Sequence, residues 1–175
     1  MATMILLPDA DGSIQPGWVA VGETDRWDCL KDDNGNTSYV KCSTNTASMI
    51  IEYANPSIAE SGIASIESVR FLSSGRSTHR TSGSIVSIGY QVPSGNVAEL
   101  CTYDAHRTNY ETINGTARTT SDGSSAAWTY TDLERLEMIC IKSFTVNVRL
   151  SYLALEVTYT EAVSADNATF FGANF

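Results

Sequence analysis

With 175 residues, the chain is long enough for one domain with a hydrophobic core and too short for two of ordinary size, so a multidomain enzyme is not expected. Only 18% of the residues are charged, and 21 Ser and 19 Thr stand against 3 Lys, which suits solvent-facing strand positions better than helices. The formal net charge is −9, the 11 basic residues are scattered along the chain, and no apolar stretch approaches the about 20 residues of a membrane span. We therefore expect neither a nucleic-acid nor a membrane partner.

Turn signals dominate the first 37 residues, and short strands could lie between them. The segment from Asp9 through Asp11 to Ser13 resembles the opening of a calcium loop, in which alternating carboxylates surround the ion. A twelve-residue loop beginning at Asp9 ends at Ala20, where such loops place a bidentate Glu. The missing Glu favours a plain turn, and a cation at Asp9 and Asp11 is left open.

The rest of the chain up to residue 160 has strand chemistry between turn boundaries. The last segment is the clearest, because large apolar side chains alternate there with small or polar ones at the two-residue period of a half-buried strand. Leu153, Leu155, Val157 and Tyr159 form its predicted buried face, and Ala154, Glu156, Thr158 and Thr160 its predicted wet face. Seven strands are predicted in this part of the chain: 38–42, 48–53, 63–73, 84–90, 97–103, 138–141 and 148–160.

One segment predicts a short helix. Thr129 and Asp132 have the spacing of a capping box, in which the hydroxyl and the carboxylate each accept a hydrogen bond from the other residue's backbone N–H. Trp128 precedes the cap and is expected to pack against Leu133 as a hydrophobic staple. We therefore predict an all-β antiparallel β-sandwich, jelly-roll or immunoglobulin-like, with one short helix. It forms a single domain over residues 1–162, followed by an apolar C-terminal tail, 163–175.

Cysteine and histidine spacing argues against a metal site and against a catalytic triad. The four cysteines, at positions 29, 42, 101 and 140, form no C-x-x-C pair, and reduced, buried thiols are favoured over two disulfides. His79 and His106 are far apart in polar segments, and the sequence has no G-x-S-x-G motif. No cofactor is expected.

The spacing of the carboxylates also argues against a catalytic site. Glu52, Glu67, Glu99 and Glu156 each stand alone in a predicted strand, so solvated carboxylates are favoured over the paired acids of a glycosidase. The sequence therefore predicts a protein that is not an enzyme.

Aromatic residues offer two interpretations. Trp18, Trp27 and Trp128, with eight tyrosines, could form a sugar-binding platform, but burial in the core is favoured for each tryptophan. Phe170, Phe171 and Phe175 make the tail apolar, and burying each ring is worth about 1.5 to 3 kcal/mol. We expect these three residues to anchor the chain on a neighbouring subunit, with packing on their own domain as the alternative.

Spaced motifs give the chain a family resemblance. Residues 8–160 contain, in order, P-D-A-D-G-S, G-W, W-D-C-L, S-Y-V, N-P, I-x-S-V, W-T-Y-T-D-L-E-R-L and R-L-S-Y-L-A-L-E-V-T-Y. This set resembles small β-sandwich structural proteins of tailed phages, which serve as capsid decoration, cement or tail components.

The resemblance implies a non-enzymatic virion protein, most simply a capsid decoration or cement protein of a bacteriophage. Its partners would be the major capsid protein or other virion subunits, and it would form a homo-oligomer. It would be made in the host cytoplasm and located on the capsid surface. The alternative is a carbohydrate-binding module of a phage tail fibre or an extracellular protein, for which exposed tryptophans would be the distinguishing feature.

Overall fold

The computed structural model describes residues 1–14, 16–44, 47–77, 85–91, 97–104, 109–121, 125–143 and 147–163. Within these residues the chain forms eleven strands and two short α-helices, with a 3-10 turn at Glu60–Gly62. In chain order they are β1 (Ala2–Leu6), β2 (Pro8–Ile14), β3 (Trp18–Val21), α1 (Arg26–Leu30), β4 (Tyr39–Cys42), β5 (Ala47–Tyr53), β6 (Ile63–Ser77), β7 (Ile85–Gln91), β8 (Val97–Asp104), β9 (Glu111–Asn114), α2 (Tyr130–Glu134), β10 (Glu137–Ser143) and β11 (Val148–Glu161).

The strands form two antiparallel sheets. Sheet I has the order β3-β4-β11-β6-β9, and β1 joins it by pairing with the second half of β11. Sheet II has the order β2-β5-β10-β7-β8. Side chains from both sheets meet in one core, including Phe71 and Leu153 from sheet I and Ile51 and Met138 from sheet II. The predicted antiparallel β-sandwich is confirmed.

The predicted alternation holds for most of β11. Leu153, Leu155 and Val157 are fully buried, and Tyr159 is nearly so, whereas Glu156, Thr158 and Thr160 are half-buried on the opposite face. Ala154 was expected to be wet on this opposite face, and this is wrong, since it is fully buried there. Its methyl group is too short to reach solvent between the larger side chains that flank it on that face.

The capping box predicted at the start of α2 is present. The backbone N–H of Asp132 donates to Thr129 Oγ1 at 3.1 Å, and the backbone N–H of Thr129 donates to Asp132 Oδ2 at 2.9 Å. Trp128 and Leu133 are both buried members of the core. The prediction of a single helix is wrong, because the described residues also contain α1. The first N–H groups of α1 donate to Asp11, a residue of β2.

Three of the four cysteines have reduced, buried thiols, as the sequence favoured. Cys29, Cys42 and Cys140 are free and buried, while the side chain of Cys101 lies outside the described residues. No helix in the described ranges has the length and apolarity needed to cross a membrane. The division of the chain at residue 162 stays a prediction, because residues 164–175 are not among those described.

Candidate functional site

Of the two carboxylates left open as a cation site, Asp9 and Asp11, the second has a structural role. Asp11, on β2, accepts hydrogen bonds from the backbone N–H groups of Arg26 and Trp27 at 3.2 and 2.8 Å. It also forms an ion pair with the Arg26 guanidinium at 3.3 Å. Asp9 is exposed. In the part of the chain that is described, no three His, Cys, Asp or Glu side chains lie close enough together to hold a metal ion.

Of the four carboxylates considered for glycoside cleavage, Glu67 and Glu156 have different partners on sheet I. Glu67 accepts hydrogen bonds from the hydroxyls of Ser65 and Thr160, which lower its pKa, and Glu156 forms an ion pair with Arg70 at 2.7 Å. The side chain of Glu99 lies outside the described residues, as do His79 and His106 entirely.

Glu52 has a neighbour that the sequence did not reveal. It faces Glu137 across β5 and β10, and the pKa of Glu137 is raised by burial first and by the charge of Glu52 second. The two carboxylates sit on sheet II.

Two of the three tryptophans belong to the core, as was favoured. Trp18 is 1% exposed and its indole N–H donates to the Ala47 carbonyl at 3.1 Å, and Trp128 is 4% exposed. Trp27 is partly buried, with the Lys31 ammonium 4.9 Å from its ring centre. These side chains therefore do not form an exposed platform. The predicted anchor residues Phe170, Phe171 and Phe175 lie outside the described residues.

A different surface brings chemistry together, on the outer face of sheet I. Lys41 on β4 pairs directly with Arg149 on β11, and Arg149 pairs with Arg76 on β6. Three of the 11 basic residues of an acidic protein thus stand in one row across three neighbouring strands. Like charges directly opposite each other in a sheet destabilise it, so this row works against the stability of the fold.

Two tyrosine rings support the arginines of this row. The guanidinium carbon of Arg149 lies 4.6 Å from the centre of the Tyr39 ring, and that of Arg76 lies 5.1 Å from the centre of the Tyr110 ring. Both are within the range in which a cation is attracted to an aromatic face. We call Tyr39, Arg76, Tyr110 and Arg149 the arginine–tyrosine cluster.

The local strand geometry explains why these side chains share one face. On β4, Val40 and Cys42 are in the core, so Tyr39 and Lys41 must point outward. A bulge in β11 between Leu150 and Tyr152 shifts the register by one residue, after which the apolar side chains of β11 again face the core.

An acidic loop borders the cluster on one side. The Ser151 hydroxyl donates to Asp33 Oδ1 at 2.9 Å, which holds the loop between α1 and β4 over sheet I. Gly35 in this loop adopts a φ of +58°, and a Cβ there would lie 4.0 Å from the Tyr110 ring. Burial raises the pKa of Tyr152, and the charges of Asp33 and Asp32 raise it further. The loop therefore places negative charge at this border.

A groove borders the cluster on the other side. It encloses about 180 Å³ and is lined by Lys41, Cys42, Ser43, Asn147 and Arg149. Ammonium, guanidinium, hydroxyl and amide groups can all donate hydrogen bonds into it. Partial burial raises the pKa of Tyr110, while the charges of Arg76 and Arg149 oppose the rise, so both guanidinium groups act on this phenol.

Sequence reasoning missed this site for an identifiable reason. Its residues come from positions 39 to 149 of the chain, and they become neighbours only through the pairing of β4, β11 and β6. The alternation in the two strands predicts that Lys41 and Arg149 are solvent-facing, but it does not predict their register.

The sequence matches no protein-family model and no curated protein. Among solved structures, the fold is similar to the CBM36-1 domain of a multidomain xylanase from the hindgut metagenome of Trinervitermes trinervoides. The TM-score is 0.50 at 9% identity, over 92% of this chain and 100% of that chain.

Two further carbohydrate-binding modules are similar at lower TM-scores. The CBM22-1 xylan-binding domain from Paenibacillus barcinonensis has a TM-score of 0.47 at 6% identity, over 90% of this chain and 94% of that chain. The family 29 module CBM29_1 from Piromyces equi has a TM-score of 0.43 at 8% identity, over 89% and 91%. At these identities the likeness to the xylanase domain establishes the β-sandwich fold.

Proposed function

We propose that this chain is a non-catalytic carbohydrate-binding module, and that it binds polysaccharide on the outer face of sheet I. The observation that carries the proposal is the arginine–tyrosine cluster beside its groove. It takes the place of the exposed tryptophans that the alternative interpretation of the sequence required.

The chemistry of the cluster suits a polyhydroxylated ligand. A guanidinium group presents its N–H donors in a rigid planar fork, which matches a pair of neighbouring hydroxyl oxygens. Contact with the Tyr39 and Tyr110 rings restricts the two long arginine side chains before any ligand arrives. Less conformational entropy is then lost on binding.

The fold gives independent support. The xylanase domain that resembles this chain is called a carbohydrate-binding module, and this chain spans its whole length. A β-sandwich of this size offers a broad outer sheet face on which an extended polymer can lie across several strands.

Affinity electrophoresis in gels that contain soluble polysaccharides tests the proposal. We expect at least one plant or microbial polysaccharide to retard the protein. Arg149→Ala and Tyr110→Ala should weaken that retardation about tenfold, because each removes donors or support from the cluster. Arg149→Lys keeps the charge but loses the planar fork, so it should recover only part of the binding.

Arg70→Ala is the matched control, since Arg70 is on the same sheet but its charge is already paired with Glu156. It should bind like the unmodified protein. Mobility that is unchanged in every polysaccharide gel would contradict the proposal, and so would equal weakening by Arg70→Ala and Arg149→Ala.

The virion role implied by the phage resemblance stays a prediction. It depends on Phe170, Phe171 and Phe175 as a subunit anchor, and these residues lie outside the described part of the chain. No contact in the described residues favours it over the carbohydrate-binding proposal.

A further inference from the structure

We infer that the site selects anionic polysaccharides, and that the carboxylate of a uronic acid unit binds in the groove between Lys41 and Arg149. This inference rests on the proposed function and specifies the class of ligand. It is carried by the row of three cations and by two of its members, Lys41 and Arg149, which form no ion pair within the described residues.

The first step is a contrast among the cations of the described residues. Arg26, Lys31 and Arg70 each have a carboxylate partner, in Asp11, Asp28 and Glu156 respectively. Lys41 and Arg149 take part in none of the ion pairs that the described residues form. The protein has a net charge of −9, so acidic side chains are plentiful, yet none of those in the described residues forms an ion pair with Lys41 or Arg149.

The second step is geometric. Neighbouring strands lie about 4.8 Å apart, so the row from Lys41 through Arg149 to Arg76 extends over about 10 Å. That length exceeds one carboxylate and allows contact with the sugar units on either side of it. The groove adds a neutral hydroxyl, from Ser43, for the hydroxyls of the same unit.

The third step sets the orientation. The hydrogen bond from Ser151 holds the Asp33 carboxylate over sheet I at the opposite border of the cluster, where its charge repels an anion. The favourable position for a carboxylate is therefore the Lys41 end of the row, inside the groove. Sugar units without charge can occupy the side near the acidic loop.

The sparse charge of a uronate polymer fits this surface better than the dense charge of a nucleic acid. Nucleic-acid binding draws its affinity from many phosphate contacts, whereas the row offers three cations. The overall charge of −9 repels a long, densely charged polyanion, but a single carboxylate in the groove meets mainly the local positive field.

The experiment compares two polymers that differ only in charge. Polygalacturonate and the same polymer with its carboxyl groups reduced to hydroxymethyl groups are titrated into the protein by calorimetry at several salt concentrations. We expect the carboxylated polymer to bind about tenfold more tightly, with an affinity that falls as salt rises. The reduced polymer should bind with little salt dependence.

Lys41→Gln isolates the charge, because Lys41 is exposed and its replacement leaves the core untouched. It should weaken binding of the carboxylated polymer about fivefold and leave the reduced polymer unchanged. Arg70→Gln is the control and should change neither affinity.

Each outcome separates the inference from the function on which it rests. Equal binding of both polymers overturns the anionic selectivity and leaves the carbohydrate-binding function standing. Binding of the reduced polymer alone also overturns the anionic selectivity and leaves the carbohydrate-binding function standing. Binding of neither, after a broad polysaccharide screen that also fails, overturns both. Tighter binding of oligothymidylate than of polygalacturonate overturns the inference in favour of a nucleic-acid ligand.

Discussion

A cationic side chain contributes to a surface according to the group that it contacts. Arg70 and Arg149 are both half-buried on the outer face of sheet I, but Arg70 lies 2.7 Å from a Glu156 oxygen, while Arg149 lies over the Tyr39 ring. The ion pair uses the N–H donors of Arg70 and cancels its charge. The contact with the Tyr39 ring uses the positive charge of Arg149 without pairing it with a carboxylate. The same residue type is therefore structural in one strand and suited to a ligand in the next.

Thr129 tests the capping box at the level of one hydroxyl. Thr129→Ala removes the acceptor for the Asp132 backbone N–H and should lower the free energy of unfolding by about 1 kcal/mol. Urea denaturation followed by tryptophan fluorescence measures this difference. Thr129→Ser keeps the hydroxyl and should stay within a few tenths of a kcal/mol of the original protein. Equal losses in both variants would show that the methyl group, and not the cap, is responsible.

At the scale of elements, Asp11 of β2 caps the N-terminus of α1, a role that the N-cap residue of the helix itself usually has. Asp25 stands at the N-cap position of α1 but its side chain forms no capping hydrogen bond. The Asp11 carboxylate instead accepts from the first two N–H groups of the helix. The carboxylate of Asp11 thereby joins β2 to the start of α1 at Arg26, 15 residues further along the chain.

Replacing Asp11 should release this connection. Asp11→Ala removes two backbone hydrogen bonds and the Arg26 ion pair, so we expect a loss of about 1 to 2 kcal/mol in the free energy of unfolding. Asp9→Ala, two residues away and exposed, should change it by less than about 0.5 kcal/mol. Chemical denaturation measures both. If calcium chloride raised the melting temperature of the original protein but not of Asp11→Ala, the calcium loop would be restored as the interpretation.

How far the sequence predicted these elements depended on how local each signal was. The period of β11 and the capping box of α2 are written in consecutive residues, and both are present. The helix α1 was missed because its cap comes from β2, and β9 was missed because its four residues are too few to show a period. The strand β10 was ended one residue before Lys142, yet this lysine is buried in the strand and its ammonium donates to the Thr44 carbonyl at 2.8 Å. A lysine whose hydrogen-bond partner is distant in sequence gives no sign of its burial in the sequence.

The candidate site depends even more on contacts between residues that are distant in sequence. Polar and apolar alternation predicted that sheet I has a solvated face, but the row depends on which residues pair. A shift of one position in β4 would move Lys41 into the core and break the row, so the site is a property of register. The sequence predicted at most a platform of tryptophans together with tyrosines, whereas in the cluster tyrosines lie beside arginines.

For the molecule as a whole, the sandwich core also holds groups that ionise at high pH. Burial raises the pKa of the Cys140 thiol from an ordinary value of 9.0 to about 12, and it raises that of the Tyr53 phenol well above its ordinary value of 10.0. Both groups are neutral when protonated, and the folded state keeps them so at a pH where the unfolded chain has already lost its protons. Unfolding then releases protons, so high pH favours the unfolded chain.

The free energy of unfolding should therefore be unaffected by Cys140 below pH 9 and fall between pH 9 and pH 12. Each such group adds a slope of about 1.4 kcal/mol per pH unit once its unfolded form is ionised. Urea denaturation at pH 8, 9.5 and 10.5 measures the slope.

Cys140→Ala removes the thiol, so the slope should become shallower by the contribution of about one proton. The cavity that it leaves lowers the free energy of unfolding at every pH. Val157→Ala is the matched control, since it truncates a side chain of the same core without removing an ionisable group. It should lower the free energy of unfolding at every pH and leave the slope against pH unchanged. A slope that Cys140→Ala leaves unchanged would mean that this thiol ionises in the folded protein as readily as in the unfolded chain.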